Sequence, residues 1–412
     1  MIIRCSKSNK KKITVIGKGT AGCISVVSLA RISNRHDLEI EWVYDPEINP
    51  QAVGEGTTLD VVDMLGETLG FGWPDLKYVD GNYKNGIRKI GYTTSGCDYT
   101  HKFPPPQVAI HFNALKLQDF IEQKIKENYS NVKIIQTNKD SYNNDTDYIL
   151  DCSGRPESYE DYNLTEYIPV NSVHVTQCFW PEPEFDYTLT IARPYGWVWG
   201  IPLQNRCSIG YMYNDKINSL EEVKEDVKNI FEDFKLQPSE TTNSFSFKNY
   251  YRNTNFQNGI GYNGNASFFL EPLEATSITS MIMVSELCAG YIFGFYDSLD
   301  RINNIYTLKL KQIENMINLH YLAGSKYVTP FWFNAQDKAN KLYKSRVVFD
   351  TEFSQFFNAV KSIKGKILNR FEDIEIKTSN NKIEYGTWGL HSWYQNIKGL
   401  NVESKITGKQ FN

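Results

Sequence analysis

Cysteine is sparse in this 412-residue chain and badly spaced for pairing. Seven are scattered at positions 5, 23, 97, 152, 178, 207 and 288. The number is odd and no C-x-x-C occurs, so neither a disulfide framework nor a zinc or other metal site is expected. Reduced thiols in a cytoplasmic protein are the expectation. A basic excess is also missing. Lys plus Arg number 44 against 48 Asp plus Glu, a net charge of −4, and the pI is near 6.0, so no field for nucleic acid is present. Long apolar runs are absent too. The most apolar helix expected, Ile278 to Phe295, contains Glu286 and polar residues, and reads as a core helix and not a membrane span. The short basic N-terminus leads directly into a strand and shows no secretory signal. There is no internal repeat and no low-complexity linker, hence no clean domain boundary.

Aromatic residues are plentiful, with 8 Trp, 26 Tyr and 23 Phe. They supply a large core and flat surfaces on which planar ligands can stack. The chain is organised around Lys12 to Arg31, KITVIGKGTAGCISVVSLAR. Ile13 to Ile16 reads as a buried parallel strand, and Ile24 to Leu29 as part of a helix. Between them Gly17, Gly19 and Gly22 have the G-x-G-x-x-G spacing. The first glycine permits a tight turn, the second lets backbone approach a pyrophosphate, and the third lets helix pack on strand. A helix N-terminus behind them offers unpaired N–H groups and a positive dipole end to phosphate. A dinucleotide site is therefore favoured over a ligand-free turn. The motif alone does not separate NAD from FAD.

Asp37 to Tyr44 reads as the second strand, and Asp45 follows it as either a ribose ligand or a turn residue before Pro46. Val53-Gly54-Glu55-Gly56-Thr57-Thr58 then suits a second backbone cradle or a plain turn opening a helix over Leu59 to Leu69. Lys84, within Tyr83 to Ile90, reads in isolation as a surface lysine. Pro104 to Pro106 mark a stiff loop. Asn113 caps a helix through Glu127, and Val132 to Gln136 forms another strand. Asp147 to Leu150 leads into Asp151-Cys152-Ser153-Gly154, a further approach of backbone to a cofactor. From Val173 to Tyr213 the pattern alternates, as in antiparallel strands. It contains Gly196-Trp197-Val198-Trp199-Gly200-Ile201-Pro202, in which the two tryptophans share a face. They form either a pair of core residues or a rigid apolar wall. Leu220 to Lys235 reads as an amphipathic helix. In Ser267 to Ile278, SFFLEPLEATSI, two carboxylates flank Pro272 and Leu273. Thr276 and Ser277 stand where a helix N-terminus can meet an anion, or simply cap it. Helices are expected over Thr279 to Tyr296 and Ser298 to Leu322.

Taken in order, Gly17-Lys18-Gly19-Thr20-Ala21-Gly22, Gly54-Glu55-Gly56-Thr57, Trp197-Val198-Trp199-Gly200-Ile201-Pro202 and Glu271-Pro272-Leu273-Glu274-Ala275-Thr276 resemble the signatures of the flavin-dependent halogenases. These are the tryptophan-halogenase-like branch of the FAD monooxygenases. The resemblance covers roughly residues 12 to 300. It implies an α/β architecture: a Rossmann-type FAD-binding fold with an added antiparallel sheet, at about 80–112 and 170–265, and a helical substrate module. Residues 1–330 would form one interlocked unit, with FAD contacts mainly in 13–58, 147–156 and 267–280. Residues 331–412 would be a helical and irregular region on the substrate side.

The site residues implied are specific. Tyr83-Lys84-Asn85-Gly86-Ile87 fits the family's aromatic-Lys-x-x-Ile pattern, which makes Lys84 the candidate catalytic lysine. The second acid of E-P-L-E, Glu274, is the candidate catalytic glutamate. FAD would contact Gly17, Gly19, Thr20, Ala21, Gly22, Asp45, Gly54, Glu55, Gly56, Thr57, Asp151, Gly154 and Leu273. Halide would meet Thr276 and Ser277. Trp197, Trp199 and Pro202 would separate flavin from substrate. The position usually held by Ser in this run is Ala275 here.

By the resemblance, reduced FAD, O2 and chloride, bromide or iodide together yield hypohalous acid, which passes through a tunnel to Lys84. An electron-rich aromatic small molecule then takes the halogen, and Glu274 stabilises the cation formed and helps remove its proton. A separate flavin reductase would supply FADH2, since no second G-x-G-x-x-G is present for nicotinamide. A homo-oligomer is compatible with this picture. The chain is shorter than tryptophan-specific members, which grip the amino acid with C-terminal residues; this implies a different aromatic substrate. The rivals are a flavin hydroxylase on the same fold and a non-catalytic flavin-binding relative.

Overall fold

The computed structural model describes residues 10–48, 54–104, 106–138, 141–142, 145–180, 184–363 and 384–406. Cys5, Val53 and Pro105, singled out above, lie outside them. The strand Lys11–Ile16 lies at the centre of a six-stranded sheet. Its neighbours are Leu38–Tyr44 on one side and Tyr148–Asp151 on the other, both parallel. Val132–Gln136 extends the sheet beyond Leu38–Tyr44, and Ile260–Tyr262 extends it beyond Tyr148–Asp151, again in parallel. Phe256–Gln257 closes that edge as an antiparallel strand. Parallel strands buried on both faces need apolar residues throughout, and Ile13, Val15, Ile40, Trp42 and Leu150 are fully buried. The crossover helix Thr20–Ser33 follows the glycine loop directly, as a Rossmann-type unit requires.

A seven-stranded sheet forms the second layer. Its order is Gln237–Ser246, Ser172–Phe179, Arg206–Tyr213, Gly196–Pro202, Thr188–Arg193, Gly86–Tyr92 and Cys97–Lys102. All pairings are antiparallel except that of Thr188–Arg193 with Gly86–Tyr92. The expected antiparallel layer over 80–112 and 170–265 is thus divided. Asn82–Lys84 and Ala109–Asn113 join Gly54–Gly56 in a separate three-stranded sheet. Ile260–Tyr262 belongs to the nucleotide-type sheet. The seven-stranded sheet separates two cores. One holds Trp180, Phe185, Val198, Val223 and Ile230. The larger one fills the space toward the six-stranded sheet and includes Trp197, Ala192 and Met212.

Helices Ser277–Ile292, Leu299–Ala323, Pro330–Ser345 and Thr351–Ser362 cover the larger core. A two-stranded hairpin, Glu384–Tyr385 with Trp388–Gly389, leads into helix Leu390–Gly399. That helix docks on Cys97–Lys102. Gln395 exchanges two hydrogen bonds of 3.0 Å with the Lys102 backbone, and the Tyr99 hydroxyl donates to Asn396 at 2.9 Å. Among the described residues no helix is long and apolar enough to cross a membrane.

Candidate active site

The glycine loop has the geometry its spacing demands. Gly17 sits at φ +109°, and a Cβ on Gly22 would lie 2.0 Å from the Gly17 carbonyl oxygen. A side chain at residue 22 would therefore push the helix off the turn. Around Gly19, by contrast, a Cβ would meet nothing within 4 Å. Gly19 is also the N-cap of Thr20–Ser33 and has no side chain to occupy the first-turn N–H groups. Open space before a bare helix N-terminus fits the pyrophosphate of FAD. The Thr20 hydroxyl donates to Glu55 Oε1 at 2.6 Å, which ties the first glycine motif to Gly54-Glu55-Gly56-Thr57. Ala21 is buried behind the turn. Gly154 lies at φ +109° with open space beside it, and the Asp151 carboxylate accepts from the Ser153 N–H at 2.8 Å. Asp45 is held as a turn residue: its carboxylate accepts from Glu47 N–H at 3.0 Å and from Asn138 at 3.2 Å.

The second glycine motif reaches Lys84 directly. Gly54–Gly56 and Asn82–Lys84 flank the strand Ala109–Asn113. Lys84 is 1% exposed, and its Nζ donates to the Thr57 carbonyl at 2.8 Å. Thr57 is itself locked to Ile110, its N–H donating to the Ile110 carbonyl and its hydroxyl accepting from the Ile110 N–H. Burial pulls the Lys84 ammonium from 10.5 to about 8, although nearby Glu274 opposes that drop and Lys89 adds to it. Lys84 is thus an amine that spends part of its time neutral at physiological pH, which is the form able to accept an electrophile.

Glu274 is not paired with Lys84. Its ion partner is Lys89, and neither side chain is exposed. His320 Nε2 lies 3.0 Å from the same oxygen, Oε1, and His101 Nδ1 lies 4.0 Å from Oε2. Burial alone would raise this carboxyl, but Lys89 first, then His320 and His101, hold it down at about 2. The companion acid Glu271 is pushed the other way, to about 8, by burial that hydrogen bonds from Tyr321 and Trp197 only partly offset. Two carboxyls three residues apart are therefore ionised and protonated respectively at neutral pH, a separation that marks acid–base sites. Between them Leu273 is buried, and Ala275 stands at φ +53°, a left-handed conformation costly for a residue with a Cβ. Thr276 precedes the helix Ser277–Ile292 and makes no side-chain capping bond. Its carbonyl accepts from the Ser280 N–H and hydroxyl.

The tryptophan motif lies on a central strand of the seven-stranded sheet. Register places Trp199 opposite Gly210 and Thr190, and Thr190 beside Lys89. Lys89 in turn faces Tyr99, and Ile87, two residues before it, faces His101. Opposed residues share a face, so the tryptophans, Lys89 and His101 all project to the Glu274 side. A Cβ on Gly210 would lie 2.1 Å from the Trp199 ring, so that indole rests flat on bare backbone. Trp197 is fully buried, and its N–H is 3.4 Å from Glu271 Oε2. Pro202 is a correction to the expected wall. Strand alternation sends it to the opposite face, where its partner Cys207 belongs to the smaller core.

Four groups at the site were not singled out from the sequence: Lys89, His101, His320 and Trp388. Trp388 packs edge-on against both histidines, with ring centroids 5.5 Å and 5.8 Å away. Lys89 carried one signal, its position two residues after Ile87 in a short strand, which sends both to one face. The neighbouring Arg88 goes outward to pair with Asp98 at 2.8 Å.

A Rossmann-type loop, a second glycine cradle bound to a buried lysine, and an E-P-L-E turn beneath paired indoles define an FAD-binding protein of the monooxygenase kind. Comparison with known families agrees: the tryptophan halogenase model matches residues 12–133 and 107–364, and the chain belongs to that family. It is 24% identical over 269 residues to tryptophan 7-halogenase RebH of Lentzea aerocolonigenes, covering 59% of this chain and 46% of that protein. To tryptophan 6-halogenase ThaL of Streptomyces albogriseolus it is 28% identical over 163 residues, covering 38% and 29%. The matches thus span less than half the length of these relatives. The fold is that of BrvH, a flavin-dependent halogenase from Brevundimonas sp. BAL3, with a TM-score of 0.73 at 17% identity over 95% of this chain and 90% of that one.

Proposed function

We propose that this protein is an FADH2-dependent halogenase acting on an electron-rich aromatic small molecule. The observation that carries the reading is the buried trio of Lys84, Glu274 and the tryptophan face. An amine depressed to about 8 and a carboxylate held at about 2 are sequestered from water beside paired indoles. The glycine loop and the Gly54–Thr57 cradle would hold FAD. Bound as FADH2, it would supply the two electrons by which O2 and halide become hypohalous acid and water, with FAD regenerated. Neutral Lys84 either holds HOX by hydrogen bond, and the ring proton then leaves with the displaced hydroxide as water, or takes the halogen at Nζ with loss of an N–H proton and hydroxide as water, and the amine then regains a proton, supplied by the ring, as the aromatic carbon takes the halogen. Glu274 lies ready to stabilise the cationic ring and direct that proton. Trp197 and Trp199 keep the substrate off the flavin, and Thr276 and Ser277 are the halide candidates. A separate flavin reductase supplies FADH2. A cytoplasmic setting belongs to the same reading, supported by seven scattered cysteines with no C-x-x-C.

The test is incubation with a flavin reductase, NADH, FAD, O2 and each halide, against indoles, phenols and azoles, read by mass spectrometry. A product carrying the halogen isotope pattern supports the reading. A product that gains oxygen instead makes the protein a hydroxylase. No turnover of FADH2 makes it a flavin-binding relative without chemistry.

A further inference from the structure

The E-P-L-E carboxylate has a counter-ion for which the proposed chemistry has no use. Lys89 is fully buried in the middle of Gly86–Tyr92, and its ammonium is committed to Glu274 Oε1. His320 Nε2 approaches the same oxygen, 3.0 Å away. Among the described residues the other oxygen, Oε2, is buried without a hydrogen bond, and so are both ring nitrogens of His101, His320 Nε2 and the Tyr92 hydroxyl. Tyr92 joins the group through His320, with ring centroids 5.8 Å apart. A buried carboxylate with one oxygen bound by an ammonium and the other bare is held in rotation and aimed.

The two lysines of the site also differ in kind. Among the described residues Lys84 donates to a carbonyl and lies over the Phe103 ring, 5.8 Å from its centroid, with no carboxylate in contact. Lys89 faces a carboxylate, which stabilises the ammonium alone. Burial lowers both lysines, and at Lys89 the contact with Glu274 opposes that drop directly. The titratable groups facing Glu274 come from three elements: Lys89 and Tyr92 from Gly86–Tyr92, Tyr99 and His101 from Cys97–Lys102, and His320 from Leu299–Ala323, with Lys84 near enough to interact. Burial lowers both histidines, His101 to about 3, while the Glu274 carboxylate opposes the drop at each. Lys89 is the cation in direct contact with Glu274 and the largest influence holding that carboxyl down.

We infer that Lys89 is a positioning residue of the reaction: it anchors Glu274 by Oε1, holds it as the anion, and presents Oε2 to the reacting ring. This rests on the reading of Glu274 as the group that meets the substrate's developing charge. The test uses full-length protein carrying Lys89→Met, with Lys89→Gln as the second variant should the first not accumulate, and Lys89→Met/Glu274→Gln as the double variant. Hypohalous acid released by the FAD-loaded protein with a flavin reductase is trapped separately from halogenated product.

Lys89→Met is expected to release hypohalous acid at the wild-type rate, to lose at least tenfold in product formation, and to shift the acid limb of the product–pH profile upward. Infrared difference spectra should show in Lys89→Met near neutral pH a second protonated carboxyl band, besides that of Glu271, which is absent from wild type and from the double variant. The double variant should be no slower than Glu274→Gln alone, because Lys89 acts through Glu274. Loss of product with an unmoved pH profile and no carboxyl band would make Lys89 merely structural and overturn the inference, as would wild-type product rates. If wild type releases no hypohalous acid, the halogenase reading fails by itself, and the carboxyl band still decides whether Lys89 holds Glu274 ionised.

Discussion

Replacing Lys84 by Met should stabilise the protein while abolishing its proposed chemistry. In the native state the ammonium is pulled from 10.5 to about 8 by burial. At ~1.4 kcal/mol per pH unit that drop corresponds to about 3 kcal/mol by which the folded state resists carrying the charge. Below about pH 8 both native and unfolded chains are protonated, and the full penalty is present. Between about 8 and 10.5 the unfolded chain binds more protons, so the wild-type protein gains stability as pH rises. Above 10.5 the penalty is gone. Methionine removes it at every pH but leaves the Thr57 carbonyl without its donor, a loss of ~1 kcal/mol. The net expectation at pH 7 is a gain of ~2 kcal/mol. With unfolding entropy of ~2.1 cal/mol/K per residue, that raises the melting temperature of a chain this size by ~2 °C. Thermal melts of wild type and Lys84→Met at pH 7 and above pH 10 measure it, and the gain should turn into a small loss at the higher pH. A variant that melts below wild type at pH 7, or by the same margin at both pH values, would refute the claim that residue 84 is held as a destabilised cation. The same protein should still consume FADH2 but yield no halogenated product.

Glu274→Gln should slow product formation at least tenfold with flavin binding intact; wild-type rates in a steady-state assay would reduce Glu274 to a structural partner of Lys89. Gly210→Ala drives a methyl group into the Trp199 ring, 2.1 Å away. It should displace the indole and raise uncoupled or oxygenated products relative to halogenated ones by mass spectrometry, without loss of flavin binding. Gly22→Ala meets the Gly17 carbonyl at 2.0 Å. It should weaken FAD binding at least tenfold in a fluorescence titration, and unchanged affinity would remove the glycine loop from the cofactor site.

Local rules made much of this molecule legible. The glycine spacing and apolar run at 13–29 specify strand, turn and crossover helix with only nearby residues involved. The helix Leu59–Leu69 and the strand Val132–Gln136 fall where periodicity places them. What could not be read is pairing across long separations. Glu274 receives neighbours from residues 89, 101 and 320, on three elements brought together only by sheet register and helix packing. A lysine two residues from an isoleucine is inward-facing only if the strand's face is known, and that face is decided by Thr188–Arg193 joining it in parallel. Alternation also decided the fate of Pro202: three positions beyond Trp199 reverses its direction.

Trp388 packs on the two histidines beside Glu274, yet it is supplied by a hairpin and helix far downstream of the strand it covers, fastened by Gln395 and Asn396. The nucleotide fold and the reactive amine are complete in sequence well before that seal exists. During synthesis the nucleotide-type sheet can therefore form before this cover is made. On the proposed reading, competence to retain an oxidant would arrive only with that last wall.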